Sequence, residues 1–429
     1  MKHGKKWALG LGIAAVVLST AWLAVVWWLP TDAELAARLT AEAEARLGVK
    51  VTIGSAHWAL LPTLVVVVSD FRTQQAQPVV IRQLSAYPSV RALLYRKLVF
   101  AHIDIDDAVF PRNSVLAFHG KPGASEPDAG DRVPLEHVGF RNLTWISYSG
   151  IAVAYDGEID FDARWRPRHA ELRRPGASPP FTLTSTREGD ADRWQMRIHV
   201  GGGTAHGNVA LQSATSGAMH LSGQLAPHDI EVASALRTFN RRSPVGGRNS
   251  GRTVLSADGK SVDDLARSLH TRTVFSVDPA TILRFDLDKV ISTRGKERDG
   301  QTALQVLTGQ MDTQNTSHGM RVTYTGLKAR AGQYSAAGEA TIYRSQIEAS
   351  GTLYLVAGAA GVPFTVSGPV NKPKATLPPG LFAGAVIGTA VLPGIGTTIG
   401  ARVGGALGRI FKGGAQQPVA PAPVAPKKN

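Results

Sequence analysis

Trp194-Gln195-Met196-Arg197-Ile198-His199-Val200 decides the fold class of this chain. Side chains alternate across a strand, so Trp194, Met196, Ile198 and Val200 fall on one face and Gln195, Arg197 and His199 on the other. The same pattern returns at Ile159, Phe161, Ala163 and Trp165, which are separated by Asp160, Asp162 and Arg164. It returns again at Ile347, Ala349, Gly351, Leu353 and Leu355, against Glu348, Ser350, Thr352 and Tyr354. One greasy face and one wet face is the mark of an antiparallel sheet covered on one side. The expected class is therefore mainly β with a few helices.

Further strands are expected at residues 51–53, 64–68, 79–81 and 98–105. Residues 31–48 read as a helix. Thr31 and Glu34 form a capping box, Leu35, Leu39 and Leu47 give an apolar stripe, and Gly48 supplies a left-handed end. Shorter helices are expected at 89–95, 230–239 and 261–269, the last capped by Ser261. Loops are expected at 119–134, at the basic Pro-rich run 166–180 and at 240–252.

The two ends of the chain differ from the middle. Residues 7–31 are 25 consecutive uncharged positions. At ~1.5 Å per residue they make about 37 Å of helix, enough to cross a hydrocarbon core of ~30 Å. Lys2, Lys5 and Lys6 precede this stretch, and Asp32 and Glu34 follow it. The positive-inside rule then places the N-terminus in the cytoplasm and the bulk of the chain across the membrane. A cleaved signal peptide ending near Ser19-Thr20-Ala21 is the rival reading, but apolar residues continue from Trp22 to Leu29, so an anchor is expected. Near the other end Gly396, Gly400, Gly404 and Gly408 recur every fourth residue and form a ridge for close helix contact. Leu381 to Leu392 is apolar as well, and Pro393-Gly394 separates the two stretches. A helical hairpin that packs on the protein or at the interface is expected.

The resulting organisation is a basic cytoplasmic tip (1–6), an anchor (7–30), a helix and sheet (31–118) and a middle β-region (135–240). A second β-region (253–379), a glycine-rich hairpin (380–412) and a disordered Pro/Ala tail (413–429) complete it.

Composition narrows the chemistry. There is no cysteine, which excludes disulfides, thiolate metal sites and a cysteine nucleophile. The formal net charge is +14, without a nucleic-acid-binding motif, so anionic headgroups are the expected counterpart and nucleic acid is not. Gly259-Lys260-Ser261 imitates the end of a phosphate loop, but Val254 stands where the motif needs glycine. The twelve histidines show no ligand spacing, so neither metal nor cofactor is expected. Asp104 with Asp106, and Asp160 with Asp162, share strand faces and read as the wet side rather than as catalytic pairs. No nucleophile constellation emerges, and no enzymatic activity is expected. Arg164, Arg166, Arg168, Arg173 and Arg174 cluster as a solvated loop, of which Arg164, Arg166 and Arg168 are the candidate headgroup contacts.

A series of short matches runs along the chain. The anchor is followed by Leu47-Gly48-Val49-Lys50-Val51, Leu61-Pro62-Thr63-Leu64, Leu93-Leu94, a strand through Ile103 and an ending from Ala108 to Arg112. Later come Ala257-Asp258-Gly259-Lys260-Ser261, Leu265, Ser268-Leu269 and Asp286-Leu287. Gly338 and Gly351 then bracket strands, and Val362-Pro363-Phe364-Thr365-Val366-Ser367-Gly368 is closed by Pro373-Lys374. Taken in order, these resemble the N-terminal region and the C-terminal module of the AsmA family, over roughly half the chain. The glycine-ridge hairpin and its tail go beyond the family pattern.

The resemblance implies a single-pass bacterial inner-membrane protein facing the periplasm. It also implies a long, twisted antiparallel β-groove of the bridge-like lipid-transfer type, with phospholipid and membrane as partners. Ile159, Phe161, Trp165, Trp194, Met196, Ile198 and Val200 are the expected lining. About 18 strands at ~4.8 Å each would make a groove of about 85 Å. That length calls for an envelope partner, an oligomer or a shuttle role. The alternative expectation is a non-enzymatic envelope assembly factor that aids outer-membrane protein biogenesis and carries no lipid.

Overall fold

The computed structural model describes residues 31–59, 63–89, 100–118, 135–163, 165–293, 297, 299–316, 318–354, 361–370 and 373–376. Twenty-two strands among them join in one large twisted sheet. Helix α1 (Asp32–Leu47) begins as its sequence dictates. The Glu34 N–H donates to Thr31 Oγ1 (3.4 Å), and the Thr31 N–H donates back to Glu34 Oε2 (3.3 Å). Gly48, at φ 70°, ends the helix.

Strands β1 (Val51–Thr52) and β2 (Ser55–Ala59) lie end to end along β3 (Val65–Thr73). Next come β4 (Val80–Pro88) and β5 (Phe100–Pro111). After the one-turn helix α2 (Arg112–Val115), β6 (His137–Ile146) pairs with β5 in parallel. This corrects the expectation of a purely antiparallel sheet. Residues 112–136 return the chain to the starting end of β5, and a connection of that length permits what a hairpin cannot.

From β6 the chain meanders antiparallel through β7 (Ala152–Phe161), β8 (Pro167–Arg174), β9 (Phe181–Arg187), β10 (Arg193–Val200), β11 (Gly203–Ser213) and β12 (Met219–His228). The short β13 (Ile230–Glu231) continues the line of β12 along β14 (Val245–Gly259), with α3 (Val232–Thr238) between them. Helix α4 (Val262–Ser268) leads to β15 (His270–Leu283). After α5 (Leu287–Ser292), β16 (Gln301–Leu304) and β17 (Val306–Thr316) share one edge of β15. The described sheet ends with β18 (Gly319–Ala331), β19 (Tyr334–Tyr343), β20 (Gln346–Tyr354), β21 (Val362–Pro369) and β22 (Lys374–Thr376).

Three pairs of strands share a position end to end, so the twenty-two strands make nineteen ladder positions. With ~4.8 Å between neighbours, the eighteen spacings of the ladder span about 85 Å. Among the described residues neither outermost position pairs with the other, so the sheet is open.

Two expected loops are strands. In residues 166–180 the arginines and prolines hide an alternation of Ala170 and Leu172 against His169, Glu171 and Arg173, which forms β8. In residues 240–252 the glycines belong to β14 rather than to a loop. A Cβ on Gly247, which sits at φ 124° at a bulge, would lie 2.2 Å from the Pro279 carbonyl oxygen. Glycine is needed there by close strand approach, not by a turn. Because β12 pairs directly with β14, the sheet runs unbroken across the boundary expected between the two β-regions. Gly338 and Gly351 face each other within β19 and β20 instead of bracketing them.

The anchor (7–30), most of the 89–95 turn, the hairpin (380–412) with its Gly396, Gly400, Gly404 and Gly408 ridge, and the tail lie outside the described residues. Among the described residues no helix is long and apolar enough to cross a membrane.

Candidate functional site

Strand register turns the local alternations into one continuous feature. Starting from Trp58, direct pairing partners run through Val66, Ala86, Ile103, Val138, Ile159, Ala170, Ser185 and Met196. The same row continues through Gly207, Leu225, Thr253, Thr273, Met311, Tyr324, Ala340, Ala349, Val366 and Ala375. One residue from each of the nineteen positions takes part, and none is Asp, Glu, Lys, Arg or His. Directly paired residues share a face, so this row is an uncharged track along the whole described sheet.

Rows two residues to either side widen the track. One runs Ala56, Val68, Leu84, Ile105, Phe140, Gly157, Leu172, Leu183, Ile198, Ala205 and Pro227. The other includes Trp194, Val209, Leu255, Val322, Ile342 and Ile347. Threonines on the face satisfy one another. Thr253 and Thr273 hydroxyls lie 2.9 Å apart, and those of Thr271 and Thr313 lie 2.6 Å apart. Burial pushes the Tyr324 phenol up from its ordinary pKa, as a low-dielectric wall would.

The opposite face is of another kind. Its matching row includes His102, His137, Asp160, His169, Gln195, Asn208, Arg272, Asp312, Glu348 and Lys374.

The apolar face is filled most fully at its first end, and a second buried cluster of Val277, Ala280 and Leu304 lies against Val232 of α3. Helix α1 sets Leu35 against Ala56, Val66, Val68 and Ala86, and Leu35 and Val66 are both 0% exposed. Farther along, Val138, Ile159, Met196, Leu225, Met311 and Val366 are only partly buried. Helix α3 sits at the first end of β14, where Glu231 Oε1 accepts from the Gly247 N–H (3.2 Å). Helix α4 sits at its last end, where the Ser268 hydroxyl donates to the Asp258 carbonyl (2.7 Å). The two short helices therefore mark opposite rims, and the central row passes between them.

Of the expected lining residues, Ile159 and Met196 fall on the central row and Ile198 and Trp194 on its flanks. Phe161 ends β7, and Val200 lies buried at the end of β10. Trp165 is a correction. The strand stops at Phe161, and Trp165, at φ 62° and 48% exposed, is carried in the turn to β8.

The arginines divide in the same way. Arg164 lies outside the described residues. Arg166 is held by Asp192 rather than free for a headgroup. Arg168 is exposed beside a shallow cleft of about 470 Å³ that also borders Glu136, Asp160 and His169. Arg187, which the sequence did not single out, pairs with Trp194 at the rim of the apolar face. Its guanidinium is only 7% exposed and meets Asp162 (2.5 Å), Asp192 (3.2 Å) and two carbonyl oxygens. A cation is tolerated there because two carboxylates and two carbonyl oxygens take four of its five N–H donors.

The histidines also regroup. His102, Asp104 and His137 converge across the parallel junction, and Glu158, His169 and Glu171 across β7 and β8. Neither set has readable spacing along the chain. Compared with family models, with curated proteins and with solved structures, the chain matches none.

Proposed function

We propose that this is an AsmA-like protein, anchored in the bacterial inner membrane by residues 7–30, that handles phospholipid in the periplasm along its apolar face. The observation that carries the reading is the uncharged register row. It is filled by the protein's own helix at one end and left partly exposed over most of the rest, where Thr273 and Ala340 are the buried members. An ordinary core would be covered throughout, because exposed apolar surface of this extent is unfavourable unless something occupies it. Acyl chains could lie along the row while headgroups stay at the rims, where Arg168 is the exposed cation of the expected set. In this reading the protein binds and guides; it performs no chemistry. A length of about 85 Å still calls for an envelope partner, a second copy or a shuttle role.

Photo-crosslinking in the full chain tests the proposal. Benzoylphenylalanine replaces Leu225 or Met311 on the apolar face, or Gln224 or Asp312 on the opposite face, in cells grown with radioactive phosphate. Phospholipid adducts are expected from Leu225 and Met311 and not from the other two. Absence of lipid adducts at both apolar positions, or equal yield from both faces, would overturn the lipid reading. Adducts with outer-membrane proteins in their place would move the assignment to an assembly factor.

A further inference from the structure

We propose that His102, Asp104 and His137 form a binding site for a divalent transition-metal ion of the zinc type, bridging β5 and β6. The three donor atoms lie within 4.8 Å of one another on the polar face, away from the apolar track. Imidazole and carboxylate are ordinary zinc ligands, and three of them leave one position open.

Four details of the cluster point to an ion rather than to a simple salt bridge. The Nε2 of His102 is buried and has no hydrogen-bond partner, although it lies only 3.0 Å from Asp104 Oδ1. Two donor atoms each ~2.1 Å from one tetrahedral ion sit about 3.4 Å apart, a few tenths of an ångström beyond that spacing. His137 uses its Nδ1 toward Asp160 Oδ1 at 2.7 Å. A carboxylate on one ring nitrogen orients the ring and leaves Nε2 as the metal donor, the usual support for a ligating histidine. Finally, a Cβ on Gly139 would lie 2.5 Å from Asp104 Oδ1, so glycine keeps the space beside the ligands free.

Tyr87 borders the ligands. The Tyr87 phenol is pushed up from its ordinary pKa by burial and then by the nearby Asp104 carboxylate, and the Tyr87 ring meets His102 edge-on with centroids 4.8 Å apart. The His102, Asp104 and His137 side chains and their neighbour Asp160 all keep some exposure, which gives an ion a path in. The position also has a physical use. The β5–β6 junction is the only parallel pairing among the described strands, and parallel ladders are slightly weaker per residue. An ion held by two residues of β5 and one of β6 would clamp that seam. This proposal is independent of the lipid reading.

The test is zinc titration of the full chain, free of any histidine tag, by calorimetry, with cobalt absorption reporting the ligand field. One zinc per chain with a tetrahedral cobalt spectrum is expected. His137→Ala and Asp104→Asn should each abolish the high-affinity site. Asp160→Asn should weaken zinc by about 10- to 100-fold by releasing the ring. His169→Ala should leave binding unchanged, and circular dichroism would verify that every variant keeps its sheet. No zinc binding by the folded parent would overturn the proposal. So would zinc retained by His137→Ala but lost in His169→Ala, since the ion would then belong to the Glu158, His169 and Glu171 set.

Discussion

The first strands and the later strands of this sheet share one apolar face yet bury it differently. Under α1, Val66 meets Leu35 and both lose all exposure. Along β10 to β21, Met196, Leu225, Met311 and Val366 occupy the same register row and remain partly open. The chemistry of the row does not change between the two regions; what changes is whether a helix lies on it. An apolar strand face is a demand for a partner; along the central row a helix supplies it at the first end, whereas farther on α3 covers only the Val277, Ala280 and Leu304 cluster at the rim.

The sharpest way to break this comparison is to place the same charge in both regions. Val66→Asp buries a carboxylate with no counter-ion and should unfold the α1–β5 region. Leu225→Asp, where solvent reaches the side chain, should leave the sheet folded. Hydrogen exchange of the β2–β5 and β11–β14 amides would read both outcomes. Equal loss in the two variants would mean that the later face is covered after all.

Truncation gives a smaller contrast. Leu35→Ala removes a fully buried side chain and should cost about 2–5 kcal/mol. Met311→Ala removes a partly exposed one, leaves no closed cavity and should cost about 1 kcal/mol. Urea titrations followed by hydrogen exchange within each region would measure both.

The smallest effect concerns the α3 rim. Burial pushes the Glu231 carboxyl up, but hydrogen bonds from Ser234, Gly247 and Ala233 outweigh it and hold the group below the ordinary glutamate range. A carboxylate whose folded pKa is depressed stabilises above its unfolded value, and that contribution fades as pH falls through the folded one. Acidification below the ordinary glutamate range should therefore loosen α3 in the parent. Glu231→Gln should be looser at neutral pH and respond less to acid, as protection of the α3 amides would show.

Much of the architecture was legible because it is local. The capping box at Thr31 and Glu34, the Ser261 cap and the alternation at Trp194 to Val200 each depend on neighbours within a few residues. Where structure and expectation part, one cause recurs: Gly, Pro and Arg are loop signals only when no strand partner claims them. In β8 they sit on a strand whose inward apolar residues are few, Ala170 and Leu172, and in β14 the glycines answer close contacts with β15 that lie some thirty residues away. Parity alone extends the strand to Trp165, whereas the chain turns after Phe161.

By itself the sequence determined which faces are apolar, because parity along a strand is a property of the chain. It also carried the charge pattern around the uncharged stretch 7–31 and the absence of cysteine. Only the tertiary structure decided that these faces align in one uncharged row, since register depends on pairing across distant segments. Tertiary contacts also decided that α1 covers just one end of that row. They alone brought His102 beside His137, because residues 112–136 carry the chain back to pair β6 in parallel with β5.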